Sequence, residues 1–580
     1  MVTGDRPGAE TGQPRSAEDV SDSVRRRLST VPKDSWKSWA ATAWVVAIAA
    51  ILRFVNLGLP NSIVFDEVYY ANEGQELLDH GVEWRTEFDS AGNVTASFGD
   101  YVVHPPLGKW IIALGIKLFN NGWARSHGFD AAFGWRFGAA VCGTLAVLMV
   151  TRIGRRMFRS TLLGCVAGVL MALDGFELVL SRIAILDIFV LFFALAAFGC
   201  LLLDRDQRRT RWLKAMDAGL DPTRIGRAGR PGFTWAGVPW WRLACGVMLG
   251  AGCAVKWSVI WYVPLFMLLV YWWEAQLRRT VGAAHPWRDA LLDEAGWIAL
   301  MGVLVVGTYV ASWSGWFATD TGWKRHYLRD QLGKSEPPVI GPLINLYYYH
   351  KEMLGFHDQL TSPHPYQSWP WQWLILGRPV AFYWSGDPRC GAQNCAAEIL
   401  LLGTPALWWA FLPALAGTAW FGIARRDWRA LPIWVGAFAG IAPWFLYEVS
   451  HRTMFYFYAA PAEPFLILAC VYVIGCLATK PGPVRVRETV GGGLGERLSR
   501  NVGLGLGRLG FGPLRYAYDR RGPLGGGLSV EERRLYGAIA GAAFVLIVGL
   551  CFWYFYPLYV GNSITNQAWG RRLLLGERWR

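Results

Sequence analysis

The feature that most constrains this chain is a repeated one. Stretches of roughly 20 mostly apolar residues, enough to cross a bilayer as a helix, recur from near residue 39 to near residue 556. On that criterion spans fall near 39–57, 135–151, 161–181, 185–203, 240–255, 258–275, 296–316, 399–422, 430–447, 454–477 and 535–556. Hydrocarbon offers the backbone no hydrogen-bond partners, so a chain crossing that often must be helical where it crosses. The expected fold is therefore an all-α polytopic membrane protein with about 11 transmembrane helices. Composition agrees: charged residues make up 17%, against about 25% in soluble chains. The 33 tryptophans fit a protein with two membrane–water interfaces to line. A string of soluble domains, a wholly disordered chain and a small disulfide scaffold are all excluded.

The net charge is 57 − 43 = +14. In a soluble chain that balance would raise nucleic acid as a partner; here the position of the charge excludes it. Arg152, Arg155, Arg156 and Arg159, the run from Arg205 to Arg230, Arg278 with Arg279 and Arg288, Arg425 with Arg426 and Arg429, and the Arg-rich stretch after Lys480 fall in alternate loops. One orientation puts them all inside, with a cytoplasmic N-terminus and, after an odd number of spans, an external C-terminus in the cell membrane. Residues 1–38 read as a disordered cytoplasmic tail, 39–478 as the membrane-embedded domain, 479–534 as a Gly/Arg-rich cytoplasmic linker, and 535–580 as the last helix with an external tail. Gly505-Leu-Gly507-Arg-Leu-Gly510 formally matches a dinucleotide fingerprint, but no strand precedes it and no βαβ unit surrounds it.

Two long external loops, about 58–134 and 317–398, hold the unusual residues. Loops of that length without a function are uncommon. Phe65-Asp66-Glu67 follows the first span in an aromatic stretch, where burial raises a carboxylate toward the range of a general base. His104-Pro-Pro-Leu-Gly-Lys109 opens a run too short to span, which reads as an interfacial amphipathic helix, with Lys117 on its polar side. Cations at outer span ends are candidates for an anion: Arg53, Arg136, Lys256 and Arg452. Arg182 and Asp187 bracket one outer turn, as an ion pair or in a direct role, whereas Lys256 has no evident partner in its own turn. The second loop carries Tyr347-Tyr348-Tyr349-His350, Phe356-His357, His364-Pro365-Tyr366, Trp369-Pro370-Trp371 and Arg378-Pro379. Its histidine spacing fits no metal-ligand pattern, so sugar stacking or packing on the bilayer is expected rather than a metal. Cys390 and Cys395 lie together in the same loop, where an oxidising exterior favours a disulfide. Carboxylates, cations and ring surface at one interface suit transfer of a sugar from a lipid-linked phosphate.

Phe65-Asp66-Glu67, His104-Pro-Pro-Leu-Gly-Lys109, Val255-Lys256-Trp257, His364-Pro365-Tyr366 with Trp369-Pro-Trp, and Arg378-Pro379-Val380, in that order from about residue 45 to 477, resemble the protein O-mannosyltransferases of the glycosyltransferase C superfamily. The resemblance implies a GT-C fold with interfacial helices in the two external loops. It implies transfer of mannose, with inversion, from polyprenyl-phosphate mannose to Ser/Thr hydroxyls of proteins emerging from the secretion translocon. Asp66 maps to the base, and Glu67 to a residue orienting acceptor or base. Arg53 and Arg136 match the family's important arginines; His104, Lys109, Lys256, Arg378 and Arg452 are expected around the donor phosphate and sugar. Tyr69, Tyr366 and Trp369 are expected to stack on sugar or acceptor. A lipid monophosphate donor calls for no metal and no other cofactor. About 80 residues in the second loop cannot hold the β-trefoil insert of eukaryotic members, which resembles the actinobacterial-type branch. The alternatives are a superfamily transferase moving another sugar to a lipid or glycan acceptor, and a secondary transporter or lipid flippase. The latter should show repeated halves and mid-span charges.

Overall fold

The computed structural model describes residues 24–29, 34–90, 93–218, 220, 237–386, 390–449, 451–478 and 530–579. Among them, nine helices are long and apolar enough to cross a membrane: Trp36–Phe54, Ala131–Phe158, Asp187–Asp217, Trp257–Val281, Pro286–Ser312, Pro405–Arg425, Ala430–Glu448, Tyr456–Ala478 and Glu531–Val560. The protein is a multi-span membrane protein.

Two predicted spans take another form. The 161–181 segment is divided into Thr161–Ala172 and Gly175–Leu180. At the break the Asp174 carboxylate accepts from Thr404 N at 2.6 Å and Trp408 Nε1 at 2.9 Å, and Gly175 N donates to Thr404 Oγ1 at 3.0 Å. Groups freed by the interruption are thus satisfied from another element, as the low dielectric demands. The 240–255 segment is a 14-residue helix, Trp240–Cys253, followed by Lys256 in extended conformation (φ −146°, ψ 143°).

The all-α expectation needs one correction. The first external loop contains a hairpin, Trp84–Phe88 with Val94–Gly99. The second contains Val380–Ser385 paired with Cys395–Leu401, to which Ile564–Thr565 adds a short third strand. The predicted 399–422 span therefore begins inside a strand, and its helix starts at Pro405, where proline suits the first turn. The apolar run Ile399–Leu402 at the end of this strand is buried on both faces, which is why it reads as the start of a span. The tail expected to be disordered through residue 38 contains a helix at 24–28, with Val24 and Leu28 buried against Trp212, Leu277 and Val281. Residues 1–23 and most of the predicted 479–534 linker, including the Gly505–Gly510 match, lie outside the described residues.

Six charged side chains join four helices at the basic end of the bundle. Arg242 reaches Asp204 at 2.8 Å, Glu274 at 2.9 Å and Glu294 at 2.7 Å. Arg208 pairs with Glu274 at 2.9 Å and with Glu294, and Arg278 with the same two acids at 2.7 and 2.8 Å. Three arginines and three carboxylates are buried together, and every ion but Asp204 has more than one partner. Removing any one would leave a buried charge, at about 3–5 kcal/mol. At the opposite end of the bundle the loops carry the candidate site.

Candidate active site

The loop after the first helix is shaped by two arginines. Arg182 donates to the carbonyls of Leu52 (3.0 Å), Arg53 (2.9 Å), Val55 (2.8 Å) and Asn56 (2.9 Å), closing that helix end. Arg136 gathers the carbonyls of Leu57 (3.3 Å), Pro60 (3.0 Å) and Ser62 (3.0 Å), and grips Glu67 with Nε–Oε1 at 2.7 Å and Nη2–Oε2 at 2.8 Å. Glu67 also accepts from Val64 N at 3.0 Å and Ala184 N at 2.9 Å. Four bonds on a fully buried carboxylate leave it no capacity to take a proton from a substrate. Its place is architectural: it ties the loop, the second long helix and the 182–186 turn together.

Asp66 is different. Phe65 sits at φ 51°, a conformation that costs a non-glycine residue about 1–3 kcal/mol and is held by its surroundings. Its ring stacks on Phe382 at 4.6 Å and meets Phe457 at 6.1 Å. Asp66 then starts the Glu67–His80 helix, where its side chain makes no capping bond. Burial pushes its carboxyl up to about 6, with Lys256 pulling down and Asp187 pushing up. A half-buried carboxyl in that range beside a fixed cation suits a general base.

Lys256 and Asp187, the two charges that act on Asp66, belong to the wall of a cavity of about 580 Å3. Lys256 Nζ pairs with Asp187 Oδ2 at 2.6 Å and lies 5.5 Å from the Phe457 ring and 5.6 Å from Tyr458. The ion pair weighed for Arg182 and Asp187 is therefore not formed, and Lys256 has a partner after all. The lysine projects from extended backbone between two helices and the aspartate from a helix start, a juxtaposition that neither local sequence shows. Arg452 shares this wall. Its guanidinium donates to His357 O at 3.1 Å and faces Trp444, Tyr447 and Tyr458 at 5.7, 5.8 and 5.7 Å. Among the described residues it forms no ion pair. His104 and His357 complete the polar end, rings 5.4 Å apart. His357 Nε2 faces the Val103 carbonyl at 2.8 Å and must carry the proton there, since a carbonyl only accepts. Burial pushes His357 down to about 4 against that bond, and burial with the Lys256 charge pushes His104 well below its usual range. Both imidazoles are thus neutral near pH 7. The rest of the wall is largely apolar, with Ile260, Val305, Val306 and Leu354.

The His104–Lys109 stretch reaches this place through close packing. Leu107 N donates to Ala254 O at 3.1 Å, and a Cβ on Gly108 would lie 2.7 Å from Leu186 and 3.1 Å from Val255. A side chain there would have to displace Leu186, so glycine keeps the helix close to both turns that carry Asp187 and Lys256.

Other expected residues stand elsewhere. Arg53 is fully buried, bonding Ala49 O at 3.0 Å and pairing with Glu177. Lys109 is buried between Glu83 at 2.7 Å and Glu73 at 3.1 Å, so it faces the loop interior. Arg136 is spent on Glu67 and the loop carbonyls. Arg378 donates to Pro365 O at 3.0 and 2.7 Å and lies 5.6 Å from Tyr366, shaping that turn outside the cavity wall. Tyr69 is exposed, and Tyr366 and Trp369 do not line the cavity. Cys390 and Cys395 form a disulfide. The residues not singled out by sequence reasoning are Asp187 as the partner of Lys256, His357 as a wall residue, and the rings of Tyr458, Tyr447 and Trp444. Their signal was position: each sits at an outer helix end or in the second loop.

The external loops and outer helix ends thus place the Asp66 carboxyl beside a cavity that holds Lys256 and Arg452. The chain matches the yeast protein O-mannosyltransferase Pmt1–Pmt2 complex bound to the sugar donor with a TM-score of 0.61 at 14% identity, covering 96% of this chain and 94% of that one, a likeness of fold. Residues 96–220 match the family described as dolichyl-phosphate-mannose-protein mannosyltransferase, and 343–579 the C-terminal four TMM region of protein-O-mannosyltransferase. The polyprenol-phosphate-mannose–protein mannosyltransferase of Mycolicibacterium smegmatis is 40% identical over 473 residues, 79% of this chain and 86% of that protein. That of Mycobacterium tuberculosis is 37% identical over 568 residues, 95% and 93%. The chain belongs to the protein mannosyltransferase family.

Proposed function

We propose that this protein transfers mannose from polyprenyl-phosphate mannose to Ser/Thr hydroxyls of secreted or membrane proteins on the external face of the cell membrane, with inversion. The observation that carries this reading is the placement of Asp66, whose carboxyl makes no capping bond, beside a cavity whose polar end holds Lys256 and Arg452 and whose remaining wall is largely apolar. The lipid lies along Ile260, Val306 and Leu354, and its phosphate meets the Lys256 ammonium and the Arg452 guanidinium. Charge that develops on the departing phosphate is stabilised there by cations already in place. Neutral His104 and His357 contribute hydrogen bonding rather than charge. Asp66 takes the proton of the acceptor hydroxyl as its oxygen bonds to the anomeric carbon. With Lys256 and Arg452 supplying countercharge, the reaction uses no metal and no organic cofactor. The acceptors are polypeptides delivered at the secretion translocon.

The external C-terminus is supported by the Ile564–Thr565 strand, which pairs with Cys395–Ala396 of the second outer loop. The N-terminal tail then lies in the cytoplasm, with the basic loops. The test is an in vitro assay with radiolabelled polyprenyl-phosphate mannose and a Ser/Thr-rich peptide. Label in the peptide supports the reading; label only in a lipid or glycan acceptor overturns it.

A further inference from the structure

The buried ion group at the basic end sets three arginines against three carboxylates, but the charges beside it are not balanced. The helix Asp187–Asp217 contributes Asp204 and Arg208 to that group. It also carries Arg205 and Arg209, four residues apart and so on one face. Arg205 is buried, its guanidinium 3.4 Å over the Trp428 ring and 5.6 Å from Trp273. Arg159 follows the end of Ala131–Phe158, and its charge acts on both Arg205 and Arg209. Among the described residues, the acids that act most on this pair are Asp206 and Asp427. Asp206 is shared by Arg156 at 2.6 Å and Arg205 at 3.6 Å, and Asp427 is held by Arg429 at 2.9 Å. Five arginines thus stand against two aspartates.

Arg159 is exposed and Arg209 half-buried. Their partners among the described residues are neutral oxygens. Arg159 donates to Ser29 Oγ at 3.4 Å and to Ser29 O, and Arg209 donates to Arg27 O at 3.4 Å. A carbonyl or hydroxyl satisfies a donor but leaves the charge uncompensated. Like charges four apart on a helix repel, so the cluster calls for an anion from outside the chain.

We propose that Arg159 and Arg209, backed by the charge of Arg205, bind the phosphate of an anionic phospholipid headgroup at the inner face of the membrane. Basic pockets between helices on the cytoplasmic side suit such headgroups. The surroundings favour a lipid over a soluble anion. Tryptophan concentrates at headgroup depth, and Trp428 lies in the cluster while Trp39 lies 4.0 Å from the Arg152 guanidinium at the same end. The helix Ala430–Ile441, which follows Trp428, exposes Leu431, Trp434 and Phe438 at helical spacing, an apolar track for acyl chains. The 24–28 helix, whose end Arg159 and Arg209 contact, buries Val24 and Leu28 and exposes Arg26 and Arg27, as a basic segment resting on anionic lipid does. No step of the transfer reaction passes through this site.

The test uses the full-length protein in a neutral detergent with radiolabelled phosphatidylglycerol or phosphatidylcholine. The wild type is expected to retain phosphatidylglycerol about tenfold or more over phosphatidylcholine. Arg159→Gln alone, at the exposed position, should lower that preference about fivefold, and Arg159→Gln with Arg209→Gln should abolish it. Arg159→Lys with Arg209→Lys keeps both charges and should preserve most of it. Equal retention of the two lipids by the wild type, or an undiminished preference in both Gln variants, overturns the site. Inorganic phosphate in excess, at constant ionic strength, is expected to leave the lipid bound; displacement would mark a free-phosphate site and overturn the lipid assignment.

Discussion

Lys256 and Asp187 stand 2.6 Å apart in the wall of the cationic cavity, one from extended backbone and the other from a helix start, and both charges act on Asp66. The pair sets the field at the base: the ammonium favours ionised Asp66, and the second carboxylate opposes it. The lysine thus faces both a carboxylate in the resting protein and, in the proposed reaction, a phosphate. Its two jobs can be separated.

Lys256→Ala is expected to raise the KM for the lipid donor about tenfold or more and to lower thermal stability, because Asp187 is left buried without its partner. Adding Asp187→Asn should restore most of the melting temperature but none of the donor affinity. Stability and donor KM that recover together would show the lysine to be structural only.

Asp66→Asn is expected to lower kcat for peptide mannosylation by about 10²- to 10⁴-fold, the range of a general base, while the protein still inserts and binds donor. Transfer at near wild-type rate would remove Asp66 as the base.

The same carboxyl predicts two pH effects. Activity should rise through an apparent pKa of about 6, as the base must be ionised, and the limb should vanish from the residual activity of Asp66→Asn. For stability the sign follows from the raised value: the folded protein holds this proton more tightly than the unfolded chain. The contribution is therefore present in full below 3.8 and lost as pH rises through about 6. Asp66→Asn should accordingly raise the melting temperature more at pH 8 than at pH 5.

Glu67→Gln should fail differently from its neighbour. It replaces an acceptor of four bonds with a group that must turn a donor toward Arg136, Val64 N or Ala184 N, and breaking a buried pair costs about 3–5 kcal/mol. Lower yield and melting temperature are expected alongside lost activity. A normally stable but inactive Glu67→Gln would point to direct chemistry.

Much of this was legible in the sequence because polar residues stand out against apolar runs. Asp66, Lys256 and Arg452 are visible as charges near the outer ends of spans and His104 as an imidazole in the first external loop, and the structure gathers them round one place. Partner choice was not legible. Arg53 looks available until Glu177 is found facing it, and Glu177 sits inside a run that reads as a continuous span. Lys109 looks like the polar side of an interfacial helix until Glu73 and Glu83 close over it. Strands went unseen for a related reason: the buried strand Cys395–Leu401 runs into the apolar stretch from Ile399, and periodicity cannot tell a fully buried strand from a buried helix. A pairing between residues hundreds of positions apart leaves no mark in either local sequence.

The buried arginine–carboxylate group at the basic end bears on how the protein is made. Asp204 and Arg208, Arg242, Glu274 with Arg278, and Glu294 come from four helices, and a buried ion left without its partner costs about 3–5 kcal/mol. The basic end of the bundle between 187 and 312 is therefore completed only when all four helices are in place.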